Sequence, residues 1–198
     1  MATQFTRVAF RPLSGATGLF RPRQDLPERV KLESAAVMSM TDLRQVSALT
    51  VEPNVSINRA LTRMKEGGVR LLFVTNPQEE VLGLITSTDI QGEKPLQLLK
   101  ELHMSHDEVL VRDIMTPADG LEVIELADVM KARVGDIVET LRQSGRRHAL
   151  VVDTDTRAGR PAIRGIFSAT LIGNQLGVAI DTVEVASTFA EVGAALAH

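Results

Sequence analysis

The sequence repeats itself, and that repeat constrains the fold more than any other feature. Between Val55 and Asn76, Ile57, Ala60, Leu61 and Met64 recur at i, i+3, i+4 and i+7, which is one face of an amphipathic helix. Val134, Ile137, Val138 and Leu141 restate that face 77 positions later. Gly67 and Gly68 close the first helix and Gly145 the second, as residues free to turn left-handed do. Each helix leads into an apolar run, LLFV at 71–74 and ALVV at 149–152, which reads as a buried strand. A polar turn at Asn76–Glu80 and a second strand, VLGLIT, follow in the first copy, and RGIFS answers in the second. Gly83 and Gly165 lie 82 positions apart, so the second hairpin is five residues longer. Its extra residues fall within DTDTRAGRPAI, a loop position where insertions are tolerated.

These spacings predict an α/β (α+β) chain of two pseudo-symmetric β-α-β-β-α units. The expected layout is an N-terminal arm and linker over 1–45, a first unit over 46–92, a helical linker over 93–110, a second unit over 111–175 and a C-terminal helix over 176–198. The last rests on the stripe Val185, Phe189, Val192 and Leu196. That helix docks on its own domain or at a dimer contact. In the first 31 residues of the arm, Arg7, Arg11, Arg21, Arg23, Arg29 and Lys31 are set against only Asp25 and Glu28, and Pro12, Pro22 and Pro27 break periodicity. It reads as a solvated or draped tail before it reads as a polyanion-binding segment.

Composition removes several kinds of chemistry. Without cysteine there is no disulfide, thiolate metal site or cysteine nucleophile. The formal net charge of −3 gives no chain-wide attraction to nucleic acid or an anionic membrane. Trp and Tyr are absent, so single-strand stacking platforms are few. No run approaches the roughly 18–20 apolar residues that cross a bilayer, and the first residues lack a signal-peptide core; a cytoplasmic location is expected. His103 and His106, with Asp107, are too few ligands for a metal site. No Walker A loop, GxSxG, HExxH or dinucleotide fingerprint occurs. The expectation is a protein that is not an enzyme.

The segments VEPNVSINRALTRM, GGVRLLFVTN and VLGLITSTDI, followed by VRDIMTP, VGDIVETLRQSGRRHALVVD and IRGIFSATLI, resemble a tandem CBS-domain pair, the family named after cystathionine β-synthase. The resemblance covers about residues 46–175. It implies a stand-alone pair of units with a cleft between their sheets, a homodimer, and an adenosine ligand: AMP, ADP, ATP or S-adenosylmethionine. No cofactor is required, and the partner is a regulated protein that the sequence leaves unidentified.

The candidate site lies where VLGLIT gives way to a helix at Thr86. A helix start offers unpaired N–H groups to an anion, and Asp89, three residues on, can accept from the two hydroxyls of a ribose. The resemblance implies that Thr86 and Asp89 bind phosphate or ribose. The residues alone equally describe a capping arrangement that only starts a helix. In the second copy Ser168 is kept, but Leu171 stands at the aspartate position and cannot accept a ribose hydroxyl. One competent cleft per chain is therefore expected. Arg147 and His148, with Arg70 aligned to Arg147, complete the set, since guanidinium groups suit phosphate. A ligand-free interaction scaffold is the second reading, and nucleic-acid binding through the arm is the last.

Overall fold

The computed structural model of the protein describes residues 22–102 and 108–182, together with positions 6, 8–10, 12, 15–16 and 20. The C-terminal stripe from Val185 to Leu196, the pair His103 and His106 with Asp107, and Arg7, Arg11 and Arg21 lie outside the described residues.

A 3-10 turn, Ala36–Ser39, leads into β1 (Thr41–Asp42). The first copy follows as β2 (Thr50–Val51), α1 (Ile57–Gly67), β3 (Leu71–Thr75), β4 (Val81–Thr86) and α2 (Ser87–Gln91). Then come α3 (Glu93–Leu102), α4 (Val111–Ile114) and β5 (Thr116–Pro117). The second copy is β6 (Val123–Glu125), α5 (Leu126–Val129), α6 (Val134–Ser144), β7 (His148–Asp155), β8 (Arg160–Ser168) and α7 (Ala169–Leu176). Both repeat helices end on a left-handed glycine, Gly68 at φ 64° and Gly145 at φ 65°.

Two four-stranded sheets result, in the orders β2-β3-β4-β5 and β1-β8-β7-β6. They match strand for strand: one parallel pair (β2 with β3, β6 with β7), one antiparallel hairpin, and one short antiparallel edge strand. The duplication reaches single irregularities. Each hairpin is bulged at the same place, between Val74 and Thr75 and between Val151 and Val152. The residues left without a register partner are Leu82 and Arg164.

The edge strands depart from the boundaries read in the sequence. Residues 34–42, assigned to the arm and linker, complete the second unit. β1 pairs with β8, Val134 N donates to Ser34 O at 2.8 Å, and Ala36 and Met40 are buried in the second core with Leu141 and Phe167. Residues 111–117, assigned to the second unit, close the first instead. β5 pairs with β4, Ile57 N donates to Val109 O at 3.0 Å, and Val109, Val111 and Ile114 join the core of Ile57, Met64, Leu72 and Ile85. The lead-ins are exchanged. Each hairpin exposes one edge strand's unpaired groups, and the lead-in of the other copy supplies both the missing strand and an apolar plug. Gly83 and Gly165 mark the crossings: a Cβ on Gly83 would strike the Thr116 carbonyl, and one on Gly165 would lie 2.5 Å from Met40 Sδ.

Between the units, Leu71, Phe73 and Leu150 form a buried cluster, with Leu84, Ile163 and Ile166 against it. The two hairpin loops also meet in an exposed ion pair, Arg160 Nη1 to Glu80 Oε1 at 3.3 Å.

Candidate functional site

The start of β3 and the start of β7 converge at the junction of the units. In the first copy Arg70 precedes β3, and its carbonyl accepts from Ser87 N at 2.9 Å, which ties the strand entry to the first residue of α2. The second copy repeats this bond with Arg147 O and Ala169 N, also at 2.9 Å. The register sets Leu71 opposite Thr86 and His148 opposite Ser168. Each copy therefore presents an arginine, a strand-entry residue and a hydroxyl in one constellation.

Thr86 and Asp89 form a full capping box. Thr86 N and Oγ1 both donate to Asp89 Oδ2 at 2.8 Å, and Asp89 N donates to Thr86 Oγ1 at 3.2 Å. The capping role open in the sequence is thus the geometry found here. A carboxylate has about four acceptor sites, so two bonds on one oxygen do not exhaust it. α2 is only five residues long, so the anion attraction expected of a helix start is weak here, and arginines must carry any phosphate. Ser168 caps α7 with half of this arrangement: its Oγ accepts from Leu171 N at 3.4 Å, and Leu171 has nothing to return.

His148 ties the constellations together. It is partly buried, and desolvation, then the charges of Arg147 and Arg70, push its pKa down to about 4, with Asp89 pulling weakly the other way. Arg70 and Asp89 of the first unit therefore sit within electrostatic reach of His148 of the second, which follows Arg147 in the chain. Both arginine side chains are exposed. Beside Arg147, an open groove of about 540 Å³ runs along α7, lined by Arg29, Arg147, Thr170, Gly173, Asn174 and Ile180.

Sequence reading missed a second charged cluster. Arg164, the bulged residue of β8, makes a two-pronged pair with Asp42 of β1: Nε to Oδ1 at 2.9 Å and Nη2 to Oδ2 at 2.8 Å. Asp153 stands 3.5 Å from Nη1. The hydrogen bonds from Arg164 hold the Asp42 carboxyl at about 2, below its usual value. No local pattern could have revealed a pair separated by 122 positions. Among the described residues, no three His, Cys, Asp or Glu side chains gather as a metal site, and no helix is long and apolar enough to cross a membrane.

Residues 39–93 match the family model of the CBS domain. Residues 39–93 are a CBS domain. The match spans β1 to the start of α3, so it includes the edge strand lent to the other unit's sheet but not the residues before 39 that lead into it. The chain as a whole is similar in fold to an uncharacterized conserved protein from Pyrococcus horikoshii: 21% identical, covering 72% of this chain and 92% of that one, with a TM-score of 0.50. It is also similar to a CBS-domain containing protein from Agrobacterium tumefaciens: 20% identical, covering 67% and 87%, with a TM-score of 0.50. At this identity the likeness is one of fold, a mixed α/β pair of four-stranded units. A search of curated protein sequences finds no match.

Proposed function

We propose that the chain is a regulatory module that binds an adenine nucleotide or related adenosyl ligand at the junction of its two units and relays occupancy to a partner protein. One observation carries this reading: Leu71 and Phe73 of one unit pack against Leu150 of the other, and across that junction the charges of Arg70 and Asp89 reach His148. A ligand held by groups on both units binds one relative placement of them better than another, and that difference is what a sensor needs. Arg70 and Arg147 are the phosphate-facing groups, and Thr86 and Asp89 take the ribose. Ser168 is the hydroxyl of the second, altered cleft.

The test is calorimetric titration of AMP, ATP and S-adenosylmethionine on the wild type, Asp89→Ala and Asp89→Asn. The expected result is a loss of tenfold or more in affinity, since about 1.4 kcal/mol is one decade. The asparagine keeps a capping acceptor, so its loss reports the missing charge rather than a damaged helix start. Equal affinity in all three removes Asp89 from the site.

The capping box favours a second reading, a scaffold that needs no ligand, because Asp89 already has a structural task. A thermal-shift screen separates the two. A ligand at a hundred times its dissociation constant adds about 2.7 kcal/mol of stability, whereas a scaffold gives no shift with any adenine nucleotide.

A further inference from the structure

The chain that follows α7 turns back along it, and two glycines permit the reversal. Gly177 takes φ 74°, Val178 N donates to Gly173 O at 3.0 Å, and a Cβ on Gly173 would lie 2.7 Å from Val178 O. α7 and the returning residues 178–182 thus form two walls of the groove of about 540 Å³. Arg147 stands at one end, where its carbonyl accepts from the N–H of Ala169, the first residue of α7, at 2.9 Å. Arg29 stands at the other end, its Nη1 2.8 Å from the place a Cβ on Gly177 would take. Gln175, only 4% exposed, holds it there with one bond on each side: Val30 N donates to Gln175 O at 3.2 Å, and Gln175 Nε2 donates to Pro27 O at 2.8 Å. A cation at a helix C-terminus has an ordinary task in facing the last carbonyls, but Arg29 donates to none of them. Among the described residues neither guanidinium has a hydrogen bond or an ion pair, although Glu28 and Asp181 are close in the chain. Between the two ends, Thr170 and Asn174, one turn apart on α7, line the wall as exposed donors.

We propose that this groove seats a short phosphate chain, an anion charged at both ends, with one end gripped by Arg147 and the other by Arg29. Between the two anchor points α7 rises about 12 Å. That is far longer than one phosphate group, so a single phosphate meets one guanidinium and a chain of them meets both. Each guanidinium can fork onto phosphate oxygens with two parallel bonds, and Thr170 and Asn174 serve the middle of the chain. The groove is lined by the second unit and the arm, with no residue of the first unit. The seat is therefore distinct from the junction and goes beyond the nucleotide reading; Arg147 is the one residue the two share. It also gives the arm a task, since residues 27–30 bring a charge to a wall that the second unit cannot supply alone.

The experiment titrates inorganic triphosphate, inorganic phosphate and AMP into the full chain by calorimetry, in metal-free buffer. The variants are Arg29→Gln, Asp89→Ala and, as a control, Arg157→Gln, an equally exposed arginine in the loop between β7 and β8. Triphosphate should bind about tenfold or more tighter than a single phosphate, and Arg29→Gln should remove about tenfold of that affinity while Arg157→Gln removes none. Triphosphate that binds no tighter than phosphate overturns the seat, as does full affinity in Arg29→Gln or an equal loss in Arg157→Gln, which would be general charge attraction. AMP separates this from the junction reading, because its binding there should be lost in Asp89→Ala and kept in Arg29→Gln. If AMP fails to bind while triphosphate behaves as expected, the junction reading falls and the seat stands. If AMP binds and triphosphate does not, the seat falls and the junction reading stands. In the Asp89→Ala background, ATP binding at least as tightly as the inorganic chain makes the source a nucleoside triphosphate, and weaker binding makes it an inorganic chain; both support the seat.

Discussion

In the first unit, the residue bulged out of β4 is Leu82, and the strand crossing beside it ends in Pro117. In the second unit, the same two places hold Arg164 and Asp42. The backbones agree and the fastenings differ. Closing the first sheet joins Gly83 to Pro117, 34 positions apart; closing the second joins Asp42 to Gly165, 123 apart. The logarithmic loop law makes the longer closure costlier by about 1 kcal/mol. A two-pronged charged pair contributes about 1.5–3 kcal/mol, enough to offset it. Its side chains retain only 18% and 9% exposure. Where the lead-in comes from far away in the chain, the fold adds a directional lock; where it comes from nearby, apolar packing suffices.

The sharpest way to break this comparison is at the two crossing glycines. In Gly83→Ala the new methyl meets backbone, the Thr116 carbonyl and Pro117 Cα at 3.1 Å, so the strand itself must move. We expect a loss of about 3 kcal/mol in denaturant unfolding. In Gly165→Ala the closest atoms belong to the flexible side chain of Met40, with the Thr41 carbonyl at 3.0 Å, so the loss should be about half as large. Equal losses would mean that the crossings are not the rigid contacts described.

The lock comes next. Asp42→Asn leaves Arg164 with Asp153 alone and should cost about 2 kcal/mol near neutral pH. Its pH signature is specific. The folded carboxyl titrates at about 2, below the 3.8 of the free group, so its stabilisation is complete above about pH 4 and is lost as the pH falls towards 2. His148, neutral in the fold, withdraws its share earlier, as the pH falls from 6.5 towards 4. Acid unfolding curves of wild type and Asp42→Asn should therefore run parallel above about pH 4 and converge below it. Curves still parallel near pH 2 would detach the pair from the lock.

How much of this was legible beforehand follows from the range of each interaction. The helix faces, the hairpins and the longer second loop follow local rules of period and turn, so they stand in the sequence at the right residues. Thr86 and Asp89 were legible as a pair because a capping box spans three positions. The exchange of lead-ins was not: Met40 and Met115 look alike in sequence, and only the free sheet edges decide which core each lead-in fills. Arg164 gave no signal, since nothing local says that a residue in a strand is bulged and aimed at an acid 122 positions away. The junction was half legible. Arg70 and Arg147 aligned by repeat, but that His148 feels Arg70 and Asp89 depends on how the two halves stack.

The gentlest change converts one cleft into the other. Leu171 occupies the place of Asp89, and α7 begins with Ser168 bonded to Leu171 N at a long 3.4 Å with no reciprocal acceptor. In Leu171→Asp the carboxylate can reach back to the Ser168 amide, completing the box that Thr86 and Asp89 form. A cap and a first-turn acid together are worth about 1 kcal/mol, partly offset by the half-buried leucine surface given up. A net gain of about 0.5 kcal/mol is expected. The larger consequence concerns ligand. Arg147 stands to position 171 as Arg70 stands to Asp89, so on the proposed nucleotide reading, with one competent cleft per chain, the variant should bind two nucleotides per chain instead of one. The mirror change, Asp89→Leu, should leave none. If Leu171→Asp gains the cap's stability while its stoichiometry stays at one, then an acid in the first helical turn is not what separates the clefts. The cause would lie in their surroundings instead, where Arg29 and the groove along α7 adjoin the second cleft.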